Sequence, residues 1–254
     1  MAFDINNFVI DRIIRGVALS QKDDSVLFSI NQIQNASLNC ASESTDAVDA
    51  MGTPIATFYR AKTAEFSAEN ALFDMNLMAT QLGTAKKIAS AGTKVVVPAM
   101  ESFIVAEGGK YVLKHKPVAA PTEIYAINGD STFGVKYKKE TAAGADVFAY
   151  TEADKTLSLP TGLAVGTDMF VMYEYESENA VEVVNSANNF PVGCKFVMEV
   201  LGCDVCDQTN LIYAYVIFNN AKLSPDFDWS IATDGAHPFS MKAQQDLNDR
   251  SLVA

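Results

Sequence analysis

The residues best suited to chemistry are four cysteines and two histidines. Cys203 and Cys206 have the Cys-x-x-Cys spacing of a redox pair or of half a zinc site. A zinc site needs two further ligands, and His115 and His237 lie far apart in the sequence. A redox pair should open a helix after a strand, whereas this pair follows a predicted strand. We therefore interpret the cysteines as reduced thiols and keep a structural metal at Cys203 and Cys206 as the alternative.

Other catalytic patterns receive no support from the sequence. Two histidines leave few possible members for a Ser–His–Asp arrangement, and no nucleophile elbow is present. Gly108-Gly109 is not followed by the helix that a phosphate-binding loop requires. Asp226-Phe227-Asp228 lacks the alternating ligands and the closing glutamate of a calcium loop. The sequence therefore predicts neither an enzyme nor a cofactor.

Composition narrows the class of protein further. The chain has 254 residues, 49% of them hydrophobic, and a formal net charge of −12. Acidic residues are spread along the chain, which argues against a module that grips nucleic acid phosphates. The apolar N-terminal stretch is interrupted by Asp4, Asp11, Arg12 and Arg15, so we expect neither a signal peptide nor a membrane span. These features predict a soluble, folded protein with a substantial core.

A hairpin near the C-terminus is the most strongly apolar part of the chain. Two runs rich in β-branched and aromatic residues, Phe196–Leu201 and Leu211–Phe218, are separated by the polar residues Asp207–Asn210. This order predicts two strands joined by a turn at the polar residues. Neither face of the second run is polar, so we expect that strand to be covered on both sides.

Strands are also predicted before this hairpin. Val26–Ile30 is predicted to be a strand and Ile55–Ser67 a further strand or hairpin, with a turn at 51–54. The small, polar stretch Ser37–Asp49 between them is predicted to be a solvated loop. A second interpretation is that Glu43, Asp46 and Asp49 form an acidic face, and that this face is turned towards a molecule that must not adhere to it.

One segment has helical periodicity. Residues 70–82 place apolar side chains three or four positions apart, which predicts a helix packed on a sheet. Asn70 suits the N-cap and Gly83 suits the left-handed position after the last turn. The expected packing residues are Leu72, Met75, Ala79 and Leu82.

Residues 117–180 have the sequence pattern of a small β module. Short strand candidates separated by turns predict a sandwich-like unit. The candidates are Glu123–Ile127, Gly134–Lys138, Val147–Tyr150, Thr156–Leu159 and Asp168–Glu176. Gly108-Gly109, just before the module, predicts a hairpin between its flanking strands. We therefore expect a β domain of residues 1–116 plus 181–254 that is interrupted by the module.

Two stretches resemble bacteriophage tail tube proteins. The first is FSINQIQNASLNCASESTDAVDAMGTPIATFYRAKTAEFSAENALFDMNLMATQLG, which is similar to the N-terminal half of that family. The second is the closing region, in which NAKLSPDFDWSIATDG is followed by HPFSMKAQQD. The resemblance covers residues 1–115 and 181–250, and residues 117–180 resemble an optional β insertion. It implies a mainly β fold: a tail-tube-like β-sandwich or barrel with one flanking α-helix.

The resemblance also implies a function. Tail tube subunits form hexameric rings that stack into a tube, and DNA passes through the lumen without specific binding. It implies a virion tail location after synthesis in the host cytoplasm, other tail proteins as partners, and no membrane insertion. Glu43, Asp46 and Asp49 become candidates for lumen or ring-contact positions, because negative charge repels DNA phosphates over about 8 Å at physiological salt. A tail terminator, baseplate or capsid decoration protein is the alternative.

A glycan-binding β module is a further alternative from another class. Exposed aromatic residues on β sandwiches often bind sugars. The sole tryptophan, Trp229, lies in a strand-like segment with Ile231 and is expected to be packed rather than presented to a ligand.

Overall fold

The computed structural model describes residues 8–205 and 207–245, in which β-strands predominate. The elements in chain order are β1 (Phe8–Ser20), β2 (Val26–Ile30), β3 (Ile33–Val48), β4 (Pro54–Asn70), α1 (Met75–Gln81), β5 (Lys87–Ile88), β6 (Val95–Ile104), β7 (Lys110–Val112), β8 (Glu123–Ile127), β9 (Phe133–Lys139), β10 (Val147–Thr151), β11 (Thr156–Ser158), β12 (Asp168–Ser177), β13 (Val181–Glu182), β14 (Gly193–Asp204), β15 (Asp207–Leu223) and β16 (His237–Ala243). They divide between two compact units. The first unit combines the chain up to Lys86 with the chain from Val183, and the second unit is Lys87–Glu182.

The first unit is built on one curled antiparallel sheet. Its strand order is β2-β1-β14-β15-β16-β4-β3. Five phenylalanines from five different strands meet inside the curl, with contacting ring centroids between 5.7 and 6.5 Å apart. Phe28 of β2 reaches Phe239 of β16 although three strands lie between them in the sheet. The curl of the sheet buries this aromatic cluster, and that burial stabilises the first unit. The five are Phe28, Phe66, Phe196, Phe218 and Phe239.

The apolar hairpin predicted near the C-terminus is present, with two differences. β14 ends at Asp204 and β15 begins at Asp207, so the predicted turn residues Asp207–Asn210 belong to the strand. Asp204 pairs with Asp207, which leaves two residues for the connection. β15 is also not covered on both sides, because Tyr213 and Tyr215 are each 57% exposed. Among residues 8–205 and 207–245, only the interior face of β15 is covered.

The prediction of a solvated loop at Ser37–Asp49 was wrong. All of these residues except Asp49 belong to β3, which pairs with β4 from Ile33 to Val48. Their small, polar side chains suggested a loop, yet the backbone ladder to β4 holds them in a strand. The predicted turn at 51–54 is confirmed, and Gly52 adopts a φ of +84° there.

The helix is shorter than predicted and starts elsewhere. Asp74 is the N-cap, and its carboxylate accepts hydrogen bonds from the backbone N–H groups of Asn76 and Leu77 at 2.8 and 2.7 Å. Asn70, the predicted N-cap, is the last residue of β4. Gly83 has the left-handed φ of +64° that its predicted position requires.

The buried side of the helix differs in part from the predicted stripe. Leu72 precedes the helix and is 59% exposed, so its predicted packing role was wrong. Met75 is half-buried, and Ala79 and Leu82 are buried. The largest contribution comes from Leu77, which is fully buried in the core of the first unit.

The second unit contains its own seven-stranded sheet, in the order β6-β12-β8-β9-β10-β11-β7. Only the β9–β10 pair is parallel. Alternate residues of β12 face the core, so Met169, Val171 and Tyr173 are buried while Met172 is exposed. The outermost strands in the order, β6 and β7, are consecutive in the chain, which requires the sheet to roll towards closure.

The second unit begins earlier than the sequence suggested. Residues 87–116 were assigned to the interrupted domain, but β6 pairs with β12 and β7 pairs with β11. The boundary lies where β5 meets β13, with Lys87 opposite Glu182. Gly108-Gly109 does form a tight turn, yet β6 and β7 diverge from it and take other partners, so the predicted hairpin pairing was wrong.

Candidate assembly surfaces

The β3–β4 arm, residues 37–63, is the most exposed regular structure in the first unit. Every residue from 37 to 63 is exposed, on both faces of the hairpin. At about 3.4 Å per residue, it extends roughly 40 Å from the sheet. It carries large apolar side chains at Met51, Ile55 and Tyr59, which are 91%, 71% and 71% exposed. A two-stranded hairpin of this kind is marginally stable alone, so packing by another surface would stabilise it.

The three acidic candidates all lie on this arm, but they do not form one acidic face. Glu43 lies opposite Arg60, and Asp46 lies opposite Thr57, whose hydroxyl donates to it at 2.7 Å. Positions 43 and 46 fall on opposite faces because side chains alternate along a strand. Residues 37–49 contain no basic residue, and the basic residues that β4 places opposite them become apparent only from the strand register.

Asp49 has a structural role at the tip of the arm. Its carboxylate accepts backbone N–H hydrogen bonds from Met51 and Thr53, both at 2.8 Å. These hydrogen bonds lower the pKa of Asp49, and the bond from Thr53 has the largest effect. The tip is therefore closed by an ionised aspartate together with the positive φ of Gly52.

Several strands present open edges, meaning edges with which no strand of the described residues pairs. β16 pairs with β15 only at Ala221–Leu223 and with β4 only at Glu65–Asn70. Beyond this short bridge, the facing edges of β15 and β4 are open among residues 8–205 and 207–245. β2 covers β1 only from Gly16 to Leu19, and β3 pairs with β4 alone. Such edges present unpaired N–H and C=O groups that favour pairing with another chain.

The outer face of the β1–β14–β15 ribbon combines apolar and charged groups. Arg15, Glu199 and Tyr215 lie side by side across the three strands. The Arg15 Nε donates to Glu199 at 2.7 Å, and the Tyr215 hydroxyl donates to the same carboxylate at 3.0 Å. Next to this row, Leu211 and Tyr213 expose apolar surface. Polar anchoring within an apolar strip is common in protein interfaces.

The residues first considered for chemistry do not converge. Cys40 is exposed, Cys194 is buried, and Cys203 is half-buried, all as free thiols; Cys206 lies outside the described residues. Burial raises the pKa of Cys194 to about 11. No group of three potential metal ligands was found among residues 8–205 and 207–245. None of the described helices is long and apolar enough to cross a membrane.

The aromatic residue considered for glycan binding is engaged within the first unit. Trp229 is half-buried and stacks on Phe73, with ring centroids 4.3 Å apart. Its segment was predicted to be strand-like, but residues 224–236 form a loop. His115 is exposed and stacks on Tyr175, with ring centroids 3.9 Å apart.

Comparison with protein families decides the identity of the chain. Residues 8–249 match the model of the YomU/Tube protein family, which spans both units. The chain belongs to the YomU/Tube family. The resemblance to phage tail tube proteins is thereby confirmed. A search of curated proteins found no match.

Membership of the tube family supports a coarse description of the function. The chain is a tube-like structural protein of a phage, and its family favours a virion tail component that assembles with other tail subunits. The family is a structural one, which favours a protein without enzymatic activity. The open edges and the exposed arm are the surfaces that such assembly could use.

Proposed function

We propose that this protein is the subunit of a phage tail tube, in which hexameric rings stack around a lumen for DNA passage. The observation that carries the proposal is the β3–β4 arm, a long hairpin exposed on both faces and at its apolar tip. A strand pair with no core of its own gains stability only when other surfaces cover it. In a stacked assembly, neighbouring copies supply that cover.

The open edges support closure of a ring. The β1–β14–β15 ribbon has one open edge at residues 9–15 of β1 and another along the first part of β15. When one edge pairs with the other edge of the next copy, the contact is heterologous, and it closes into a ring if its rotation divides a full turn. The family membership makes the six-fold ring the preferred closure.

The acidic residues of the arm are better suited to a contact between copies than to a lumen surface that repels DNA uniformly. Glu43 faces Arg60 across the arm, so this part of the hairpin presents both signs of charge. Mixed charge favours a defined register between partners. We therefore propose Glu43, Asp46 and Asp49 as ring-contact residues, with a lumen position as the outcome that the charge variants below would reveal.

Shortening the arm tests the proposal directly. Residues 40–64 are replaced by Asn-Gly, a pair suited to a two-residue hairpin turn next to the Asn39–Glu65 pair. We expect a folded subunit, because Phe66 and the rest of the aromatic core remain. Negative-stain microscopy should show tubes or stacked rings for the parent protein and single subunits or unstacked rings for the variant.

Two matched double variants test whether assembly depends on the apolar side chains of the arm or on exposed apolar side chains in general. Phe58→Ser with Tyr59→Ser removes one aromatic ring from each face of the arm, and Met100→Ser with Met172→Ser removes equally exposed side chains from the second unit. We expect loss of tubes only for the first pair. Normal tubes from the shortened arm would refute the role of the arm. Six-fold rings from the parent that never stack would favour a terminator or baseplate protein.

A further inference from the structure

A buried histidine fastens the joint between the two long hairpins of the first unit. His237 begins β16, the strand that bridges β15 and β4, and is only 1% exposed. It lies opposite Asn70, the last residue of β4. Its Nε2 lies 2.8 Å from Oε1 of Gln81, which is itself fully buried in α1. One side chain thus connects β16, β4 and the helix.

The hydrogen bonds determine the protonation state of His237. The Gln81 amide nitrogen donates to the carbonyl oxygen of Pro238 at 3.1 Å, which turns Oε1 towards the imidazole. An amide oxygen only accepts hydrogen bonds, so Nε2 of His237 carries the proton. Nδ1 is buried and has no hydrogen-bond partner among the described residues. The neutral ring therefore fits this site with its proton on Nε2.

Protonation of Nδ1 would leave a buried donor unsatisfied in the present arrangement. The facing Asn70 also has a buried side-chain oxygen without a described partner, yet it does not accept a hydrogen bond from Nδ1. The Asn70 amide nitrogen donates to the carbonyl oxygen of Leu72 and so holds the side chain in place. A second proton on the imidazole therefore requires the joint to rearrange or open.

Aromatic contacts tie the loop of residues 224–236 to the same histidine. Phe73 stacks between His237 and Trp229, with centroid distances of 5.2 and 4.3 Å. Phe227 of the loop also packs against His237, with ring centroids 5.9 Å apart. Displacement of His237 would therefore also release the loop. We call His237, Asn70, Gln81, Phe73 and the loop the β16 joint.

The charged groups around the joint come from three elements. Asp74 at the start of α1 opposes the effect of burial on His237, but its carboxylate already accepts two backbone hydrogen bonds. On β4, the Glu69 carboxylate accepts a hydrogen bond from Asn35 at 2.8 Å. Asp226 and Asp228 of the loop line an open cavity of about 380 Å³ together with Glu69. The loop also carries Asp234.

We propose that the β16 joint is an acid-sensitive latch, closed by neutral His237 and released when this histidine is protonated. Opening separates the loop and β16 from α1 and the end of β4. Because β16 is the bridge between the β14–β15 and β3–β4 hairpins, the latch controls how firmly these two hairpins are held together. The proposal depends on contacts within the subunit and is independent of the proposed tube.

The direction of the pH effect follows from linkage. Burial lowers the pKa of His237 below the ordinary value of 6.5. The closed joint therefore keeps its full stability above about pH 6.5 and loses stability as the pH falls below that value, where the open form binds a proton and the closed form does not. One pH unit below 6.5, the opening equilibrium should shift towards the open form by up to about tenfold, because the open form binds a proton more tightly than the closed form.

Hydrogen exchange measured by mass spectrometry on the full chain tests the latch. Protection of β16 and residues 224–236 is compared at about pH 8 and about pH 5.5, after correction for the intrinsic exchange rate. We expect more opening at the lower pH, by up to about tenfold. His237→Gln offers an amide donor to Gln81 and does not titrate, so its protection should not respond to pH. His115→Gln, which changes the other histidine of the chain, should retain the parent response.

Two outcomes would overturn the latch. One is a parent response that survives in His237→Gln, and the other is an absence of response in the parent. A second measurement covers the case in which His237→Gln does not fold. Exchange of the imidazole C2 hydrogen reports the titration of each histidine in the unaltered protein, and a His237 pKa at or above 6.5 would contradict the proposal.

Discussion

A buried carboxylate organises the core of the second unit. Glu101 is 3% exposed and accepts hydrogen bonds from the hydroxyls of Tyr111 and Tyr173 and from the backbone N–H of Lys114. Desolvation, together with the hydrogen bond to Glu101, raises the pKa of Tyr111 to about 12. Burial of the Glu101 side chain is tolerated because both of its oxygens accept hydrogen bonds. Sequence spacing could not distinguish this glutamate from the many at the surface.

Glu101→Leu should destabilise the second unit by about 2–4 kcal/mol, because two buried hydroxyls and one N–H lose their acceptor. Tyr111→Phe, the milder comparison, should cost about 1 kcal/mol. Urea unfolding followed by hydrogen exchange in the second unit measures both. Fluorescence of Trp229, which lies in the first unit, is the internal control and should change little. A Glu101→Leu protein as stable as the parent would show that the network contributes nothing.

Among the secondary-structure elements, the β3–β4 arm was predicted only in part from the sequence. Ile55–Ser67 was predicted as a strand, whereas its partner Ser37–Asp49 was predicted as a loop because its residues are small and polar. The difference arises because the strand state of β3 comes from pairing with β4, not from propensity. The arm as an element, and the position of Arg60 opposite Glu43, could be found only from the register.

Charge variants distinguish a ring contact from a lumen position for the arm. Glu43→Lys and Asp46→Lys reverse two charges, and Asp49→Asn keeps an oxygen for the turn at the tip. We expect tube assembly to fall by at least about tenfold if the arm is a ring contact, since like charges at an interface cost several kcal/mol. Microscopy and sedimentation measure assembly.

The matched control applies the same charge change elsewhere. Glu107→Lys, Glu140→Lys and Asp154→Asn lie on exposed positions of the second unit and should leave assembly intact. Normal tubes from the arm variant with impaired DNA delivery would place the arm at the lumen instead. Normal tubes with normal delivery would exclude both positions.

At the scale of the whole molecule, the second unit has the features of an independent domain. It has its own core, which includes Ile124, Phe148 and Leu157. Its first and last strands, β5 and β13, pair with each other, so the chain begins and ends this unit at one place. Neighbouring termini allow a domain to be inserted into a loop of another without strain.

The fragment 87–182 should therefore fold alone. We expect a cooperative thermal transition and the hydrogen-exchange protection of β6, β8 and β12 seen in the full chain, because these strands pair within the fragment. The fragment 117–182, which starts at the boundary suggested by the sequence, is the comparison and should not fold, since it lacks β6 and β7. Equal folding of both fragments would contradict the boundary at Lys87.

Sequence alone determined the features that depend on local chemistry. Alternating apolar residues located β12, turn residues bounded β8 to β11, and Gly83 marked the end of the helix. The family resemblance was also present in the linear pattern and did not need the fold. These signals are strong because each rests on residues close together in the chain.

Only the tertiary structure decided which distant segments meet. It placed β6 next to β12, brought Tyr173 to Glu101, and buried His237 against Gln81 across 156 residues of sequence. It also exposed both faces of the β3–β4 arm and left one face of β15 uncovered. Strand pairing and burial depend on residues that are distant in the sequence, and a local pattern cannot identify them. The surfaces available for assembly and the burial of His237 are therefore apparent only in the folded chain.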